Sequence, residues 1–466
     1  MMHTSTLSLT APAQVYRRRR AALAATLHRP FVIFAGHAPA RNYPANAHPF
    51  RPGSTYTYYG GPPLEHAALL MEPGSDGDAG CTLFRPTWGV DEAVWVGEAT
   101  PDQALADATG LSVERLADPD ELEARLAKRA IAAITPPFPE TLARVSRLGL
   151  HEPEPTELLA IVDQRLCKDE YELDAMRRAA AVGIAAQRAV AAATFPGGRE
   201  AEAAAAFTAV LTGNECQPSF TPIVTVRGEV FHGVGHPNRL TDGALLLVDA
   251  GAEEPGGYAS DMTRTYPVSG TWTAMQRQLY DTVLRALNAA VAACVPGRRY
   301  RDVHDLAAAI ICEGLVTAEL LRGDPADLAA RRAHALFFPH GVGHLIGLDV
   351  HDMEDFGDIA GYAPGRTRRT NFGDKFLRLD RDLLPGMCVT IEPGVYIVPA
   401  IWECAELVKP LADAVNRPAV EALVAAQFGG IRIEHTVCVR DALGPEVLTA
   451  QLPTDADEVA ALVGAH

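Results

Sequence analysis

The sequence predicts a two-domain mixed α/β (α+β) protein, and three observations carry that prediction. Its 466 residues are enough for two or three domains. Short apolar, strand-like runs alternate with helical patterns in both halves. A cluster of prolines at 136, 137, 139, 153 and 155 separates a shorter first part from a longer second one. With 48% hydrophobic and 21% charged residues, there is ample material for a core in each.

In the first part, residues 17–27 read as a helix opened by an arginine run, and Phe31 to Phe34 as a buried strand. A polar loop with Asn42, Tyr43, Pro44 and Asn46 precedes the tyrosine-rich stretch 56–61. Residues 67–71 and 81–84 read as further short strands, and 103–133 alternates helical patterns with the apolar run at 131–134. A linker at roughly 150–170 sets the domains at 1–165 and 166–466. In the second part, residues 168–194 form an alanine-rich amphipathic helix with mixed charge at its start. Residues 244–248 form a buried strand ending at Asp249, a turn at 253–257 reverses the chain, and 258–265 returns. Residues 276–295 and 303–321 read as helices, and 387–391 and 431–439 as strands.

The net charge of −17 argues against a nucleic-acid or anionic-membrane partner, either of which needs a basic face. No run approaches the roughly 18 apolar residues of a membrane span, and the start lacks the pattern of a signal peptide. Eight scattered cysteines without a CxxC pair suggest free thiols and a cytoplasmic location.

The chemistry concentrates in residues 338–352, where His340, His344 and His351 stand among glycines 341, 343 and 347. Neutral imidazoles in a dry pocket suit a metal, and glycines let backbone and ligands crowd close. Asp249 and Asp261 flank the predicted turn, so a hairpin would bring them together. A buried pair of aspartates needs a cation to stay ionised. The alternative, a solvated hairpin with ordinary acids, fits poorly with an Asp closing an unbroken Leu-Leu-Leu-Val run. Glu392 ends another apolar strand. Glu434 alternates with isoleucines beside Arg432, which asks for either a metal or an arginine partner. The four carboxylates would largely neutralise two divalent ions, and two Asp, two Glu and one His suit Mn²⁺, Fe²⁺, Co²⁺ or Zn²⁺. A pair of such ions is suited to hydrolysis.

These motifs resemble the successive signatures of the aminopeptidase P and prolidase branch of the pita-bread metallopeptidases. They are Asp249-Ala-Gly, Asp261-Met-Thr-Arg-Thr, His340-Gly-Val-Gly-His344, Gly347-Leu-Asp-Val-His351-Asp352, Glu392-Pro-Gly-Val-Tyr396 and Arg432-Ile-Glu434. The likeness spans residues 170–450, and the first part is similar to the aminopeptidase P N-terminal domain. The resemblance implies a pita-bread catalytic domain that hydrolyses the Xaa-Pro bond at the N-terminus of peptides. It implies five ligands of a dinuclear centre, manganese foremost: Asp261 and Glu434 bridging, Asp249 on one ion, His344 and Glu392 on the other. Glu392 would also accept a proton from the attacking water. His351 would bind substrate and shuttle a proton, His232 would stabilise the oxyanion, and His340 would line the proline pocket. Arg432 and Tyr396 would contact substrate, and the protein would form homodimers or homotetramers.

Against the family pattern, the hairpin between Asp249 and Asp261 is one residue longer, and His435 stands where an acid is frequent. The basic segment 353–382, including Arg366, Arg368, Arg369, Lys375 and Arg378, could read a peptide carboxylate, or be a solvated insertion. His236, His304 and His334 read as surface or structural residues. Prolidase activity on dipeptides alone, or another end preference such as a carboxypeptidase, stays open. A non-catalytic pita-bread module is the remote alternative, disfavoured because all five ligand positions are filled.

Overall fold

The computed structural model describes residues 7–74, 80–117, 119–126, 129–233, 235–441 and 444–465. The chain divides into two compact units, Met1–Arg165 and Leu166–His466. In the first unit, helix α1 (Ala13–Ala24) precedes a five-stranded mixed sheet in the order β4-β3-β2-β1-β5. Its strands are β1 (Phe31–Phe34), β2 (Ala68–Met71), β3 (Cys81–Pro86), β4 (Ser112–Leu116) and β5 (Ala132–Ile134). Alternate residues Val32, Phe34, Ala68, Leu70 and Phe84 build one core with Leu122 and Leu126, as period-two side chains on one sheet face should.

The second unit opens on helix α2 (Glu170–Ala192). Its Asp169 cap accepts from the backbone of Tyr171 and Glu172, and Glu172 returns the bond to the Asp169 N–H. With α3 (Glu200–Gly213), α2 covers an antiparallel sheet of β6 (Ile223–Thr225), β7 (Leu245–Asp249) and β8 (Thr263–Pro267), in the order β8-β7-β6. Leu246 and Val248 pack with Val190 and Phe207 in the helix-side core, whereas Leu247 packs with Ile223 and Tyr396 on the other face. Strand β7 is therefore buried on both faces, which explains its unbroken apolar run. By the same alternation Asp249 follows Leu247 onto the Tyr396 face. Two long helices follow, α4 (Ala274–Ala292) and α5 (Tyr300–Thr317).

The last strands correct one expectation. Residues 431–439 are not a single strand but β11 (Gly430–Arg432) and β12 (His435–Cys438), facing β10 (Gly394–Tyr396) and β9 (Cys388–Ile391) respectively. A third strand, β13 (Glu446–Val447), flanks β12. Ile391 pairs with His435 and Gly394 with Arg432, one register carried across the gap. That register sets Glu392 opposite Glu434 and Pro393 opposite Ile433. Proline has no N–H to give to a ladder, so the pairing breaks where the two glutamates stand. The hairpin also differs in detail: Asp249 pairs with Thr263, and Asp261 lies two residues before β8 begins.

Close approach requires glycine beside His344. Gly343 has φ +154°, and a Cβ there would lie 2.2 Å from the Thr390 carbonyl oxygen and 2.4 Å from Tyr300 Oη. Gly343→Ala should cost about 1–3 kcal/mol or more, seen as a lower thermal midpoint in calorimetry; an unchanged midpoint would show that this contact gives way freely.

Candidate metal centre

Five ligand-type side chains, from the end of β7, the approach to β8, the histidine stretch and the two sides of the broken ladder, form one neighbourhood. His344 Nε2 lies 3.5 Å from both Asp261 Oδ2 and Glu392 Oε1. Asp261, His344 and Glu434 each offer an atom within 4.8 Å of the others, all buried. Asp249 reaches the group through Arg432, whose Nη2 donates to Asp249 Oδ2.

The orientation of His344 is decided by its other nitrogen. Nδ1 faces the Leu345 carbonyl at 3.0 Å. A carbonyl only accepts, so Nδ1 carries the proton, and the Nε2 lone pair of the neutral ring points at the carboxylates. The Thr390 hydroxyl accepts from the His344 N–H at 3.0 Å and approaches Glu392 Oε1 at 3.3 Å, so ligand positions on neighbouring segments are tied together.

The carboxylates are placed at a cost that a cation would remove. Asp261 Oδ1 and Glu434 Oε1 are buried without a hydrogen-bond partner among the described residues. Burial, reinforced by the charges of Asp249 and Glu392, pushes Asp261 up to about 7. Burial likewise raises Glu392 and Glu434, with like charges adding in each case. Burial would lower His344, but the Asp261 hydrogen bond and the Glu392 charge outweigh it and its pKa is raised. Protons therefore hold, in the metal-free chain, the position that suits a cation. Oxygen-rich donors with one imidazole and unpartnered buried oxygens fit divalent ions.

Residues 174–441 match the family model described as metallopeptidase family M24, more than half of the chain, and residues 16–133 match the aminopeptidase P N-terminal domain. The chain belongs to metallopeptidase family M24. A probable Xaa-Pro aminopeptidase of Colletotrichum graminicola is 30% identical to it over 428 residues, 90% of this chain and 88% of that protein. A second, from Fusarium vanettenii, is 30% identical over 397 residues, covering 83% and 80%. The solved proline aminopeptidase P II from Yersinia pestis superposes with a TM-score of 0.79 at 28% identity, covering 97% of this chain and 99% of that one. The overall architecture thus matches known aminopeptidase P structures, with the pita-bread unit following the N-terminal domain.

Two further site histidines of this M24 metallopeptidase, His340 and His351, are held neutral. His340 uses both nitrogens: Nδ1 donates to the Gly341 carbonyl at 2.7 Å, and Nε2 accepts from Tyr396 Oη at 2.9 Å. Burial and the Arg432 charge lower His340 to about 3. Its ring edge meets Phe231 and Phe338, with centroids 5.5 and 4.7 Å away, so what it offers a ligand is ring surface. His351 stacks edge-on against His344 at 4.2 Å, and burial with the His344 charge lowers it to about 2. His232 is exposed in the turn after β6, near enough for its charge to bear on His340 and His351. Arg432, buried, donates from Nη1 to Tyr396 Oη at 2.8 Å and from Nε to Thr263 Oγ1 at 3.2 Å. Thr263 Oγ1 in turn donates to Glu434 Oε2 at 2.7 Å. His435 faces away from this network, with Nδ1 2.7 Å from Thr449 Oγ1.

The basic segment is held by pairs within its own unit. Arg366 binds Asp382, Arg368 binds Asp358, Arg369 binds Asp305 and Arg378 binds Glu354. These four arginines are committed to acids, and Arg378 also bears electrostatically on His351.

Sequence inspection missed Lys168. Its Nζ lies 2.8 Å from Asp352 Oδ2, with both side chains about 1% exposed. Asp352 follows His351, and Gly347 leaves just enough room: a Cβ there would lie 2.6 Å from Asp352 Oδ2. A lysine 184 residues away gives no local signal of this pairing.

Two outcomes follow from this geometry. Lys168→Met removes the cation from a buried pair and should cost about 3–5 kcal/mol, while Lys168→Met with Asp352→Leu should recover much of it; thermal midpoints of the three chains decide this. For the metal-free protein, every raised group has a folded pKa above its unfolded one. Their stabilisation is therefore present at acidic pH and lost as pH rises through about 7, the Asp261 value. Above about pH 6.5 the histidines that burial lowers are neutral folded and unfolded alike, so from there to about pH 8 the midpoint should fall without metal, and added Mn²⁺ should reverse the fall by displacing protons. A flat metal-free profile would contradict the account.

Proposed function

We propose that this M24 metallopeptidase is an Xaa-Pro aminopeptidase whose dinuclear centre is held by Asp249, Asp261, His344, Glu392 and Glu434. The observation that carries the metal assignment is the convergence of buried, unpartnered carboxylate oxygens on a bare imidazole nitrogen. The names of its relatives, Xaa-Pro aminopeptidases over 80% or more of both chains, support the substrate class. A solved Zn-substituted aminopeptidase P from E. coli in complex with product adds support, at 27% identity and a TM-score of 0.77 over 97% of this chain and 98% of that one. Residues 1–165 are assigned to the aminopeptidase P N-terminal domain and 166–466 to the catalytic domain.

Bound divalent cations supply Lewis-acid polarisation of a carbonyl and a water of lowered pKa. The chain's own groups do the rest. Glu392, partly open at 17% side-chain exposure and raised in pKa, is placed to take a proton from the attacking water and return it to the leaving nitrogen. His351, neutral and against His344, presents an imidazole to the substrate, and His232 at the open side is positioned to donate to the carbonyl oxygen as charge develops. His340 with Phe231 and Phe338 offers an aromatic wall for a proline ring, its nitrogens already engaged. Such a wall reads shape and needs no N–H from the scissile amide, which a bond to proline lacks. Arg432 positions Asp249 and Tyr396 more than it contacts substrate.

The reading extends to manganese as the metal, a cytoplasmic location and a homodimer or homotetramer. Eight free cysteines and the lack, among the described residues, of a helix long and apolar enough to cross a membrane are compatible with that location.

The test is hydrolysis of Xaa-Pro, Xaa-Pro-Yaa and longer peptides with added Mn²⁺, products resolved by mass spectrometry. Release of the first residue from tripeptides and longer chains is expected; cleavage of dipeptides alone would make the protein a prolidase. His344→Ala and Glu434→Ala should each abolish activity and reduce bound metal, and unchanged metal content would refute their assignment. His351→Ala should lower kcat by about 10²–10⁴-fold with metal content kept.

A further inference from the structure

A second group of donors lies outside this site. His304 on α5, His334 in the short helix Ala333–Leu336 and Asp374 in Asp374–Phe376 each offer a ligand atom within 4.8 Å of the others. All three are buried, at 1%, 3% and 1% exposure. His304 Nε2 lies 3.5 Å from Asp374 Oδ1, and the two rings meet edge-on with centroids 6.0 Å apart. Both nitrogens of His304, Nδ1 of His334 and Oδ1 of Asp374 are buried without a hydrogen-bond partner among the described residues. Cores rarely leave four polar atoms of one cluster unsatisfied, unless something that accepts their lone pairs belongs there.

The surrounding charges leave the donors available. Arg332 and Arg369 hold the other carboxylate oxygen of Asp374, Oδ2. Arg369 is also engaged by Asp305, and Arg301 by Asp380. Asp374 Oδ1 is left to face the imidazoles. Burial lowers His304 to about 4 and His334 to about 3, so both rings are neutral at neutral pH with lone pairs to give.

We propose that His304, His334 and Asp374 form a separate divalent-cation site of the zinc class, structural in role. Two imidazoles and one carboxylate oxygen suit zinc rather than the all-oxygen preference of calcium or magnesium. The site joins α5, the turn leading into the histidine stretch and the segment 353–382. Phe338 packs on His304 and on His340, at 5.6 and 4.7 Å between ring centroids, so the ion would brace the wall that carries His340. This inference concerns ligands disjoint from the proposed dinuclear set, so the two can fail separately.

The experiment strips the full-length protein with chelator, reloads it with zinc chloride, dialyses it and counts zinc by plasma mass spectrometry. In a His344→Ala, Glu434→Ala chain, one zinc per chain should remain, and adding His334→Asn or Asp374→Asn should remove it. Cobalt(II) in the same chain should give the intense visible absorption of four-coordinate geometry, lost with either addition. Either substitution in the otherwise native chain should lower zinc from three to two. No zinc in the His344→Ala, Glu434→Ala chain would overturn the proposal, as would zinc that survives both additions. Should one variant fail to fold, the other carries the test. If His344→Ala, Glu434→Ala loses no zinc at all, the dinuclear assignment fails instead.

Discussion

Four carboxylates gathered under cover govern the second unit, because ionised oxygens in a low-dielectric pocket repel one another and lack water. The surroundings answer in two ways. Hydrogen bonds from Thr263, Thr390 and Arg432 hold particular oxygens in place. Two oxygens, one on Asp261 and one on Glu434, find no hydrogen-bond donor among the described residues. An ordinary core would have replaced such groups with apolar ones. Keeping them is reasonable only where a cation is the missing partner.

The backbone makes that gathering possible by interrupting its own regularity. Pro393 breaks an antiparallel ladder that otherwise keeps a single register from Cys388 to Tyr396, and the break is where Glu392 and Glu434 face each other. Asp249 stands at the last position of a strand buried on both faces, and Asp261 just outside the next strand. Ladder ends leave backbone room and side-chain freedom that ladder interiors deny. Imidazole tautomers complete the arrangement, since the Leu345 carbonyl leaves Nε2 of His344 bare and the Gly341 carbonyl leaves Nε2 of His340 to accept from Tyr396.

Much of the framework was legible locally. The strands at 31–34, 68–71, 245–249 and 388–391 and the helices over 170–192, 274–292 and 300–317 lie close to where periodicity suggests. The break at residues 433–434 was not legible, because isoleucine alternation continues through it and the proline responsible sits on the partner strand. The basic segment was misleading for a related reason. Six positive charges in 353–382 suggest a surface that reads anions, yet Asp305, Glu354, Asp358 and Asp382 engage four of them. His304 and His334, isolated in sequence, meet only because α5 packs beside the turn that precedes the histidine stretch.

By itself the sequence determined which residues could do metal chemistry, since carboxylates closing apolar runs and histidines among glycines are chemically out of place anywhere else. It also determined the family, because the spacing of those motifs is carried by the chain directly. Only the tertiary structure decided which atoms meet. It showed His344 Nε2 between two carboxylates, His340 spent on Tyr396 and the Gly341 carbonyl, and Lys168 paired with Asp352. The physical reason is range. Alternation and capping act over a few residues, whereas burial, desolvation and ion pairing act between residues that folding brings together from far apart in the chain.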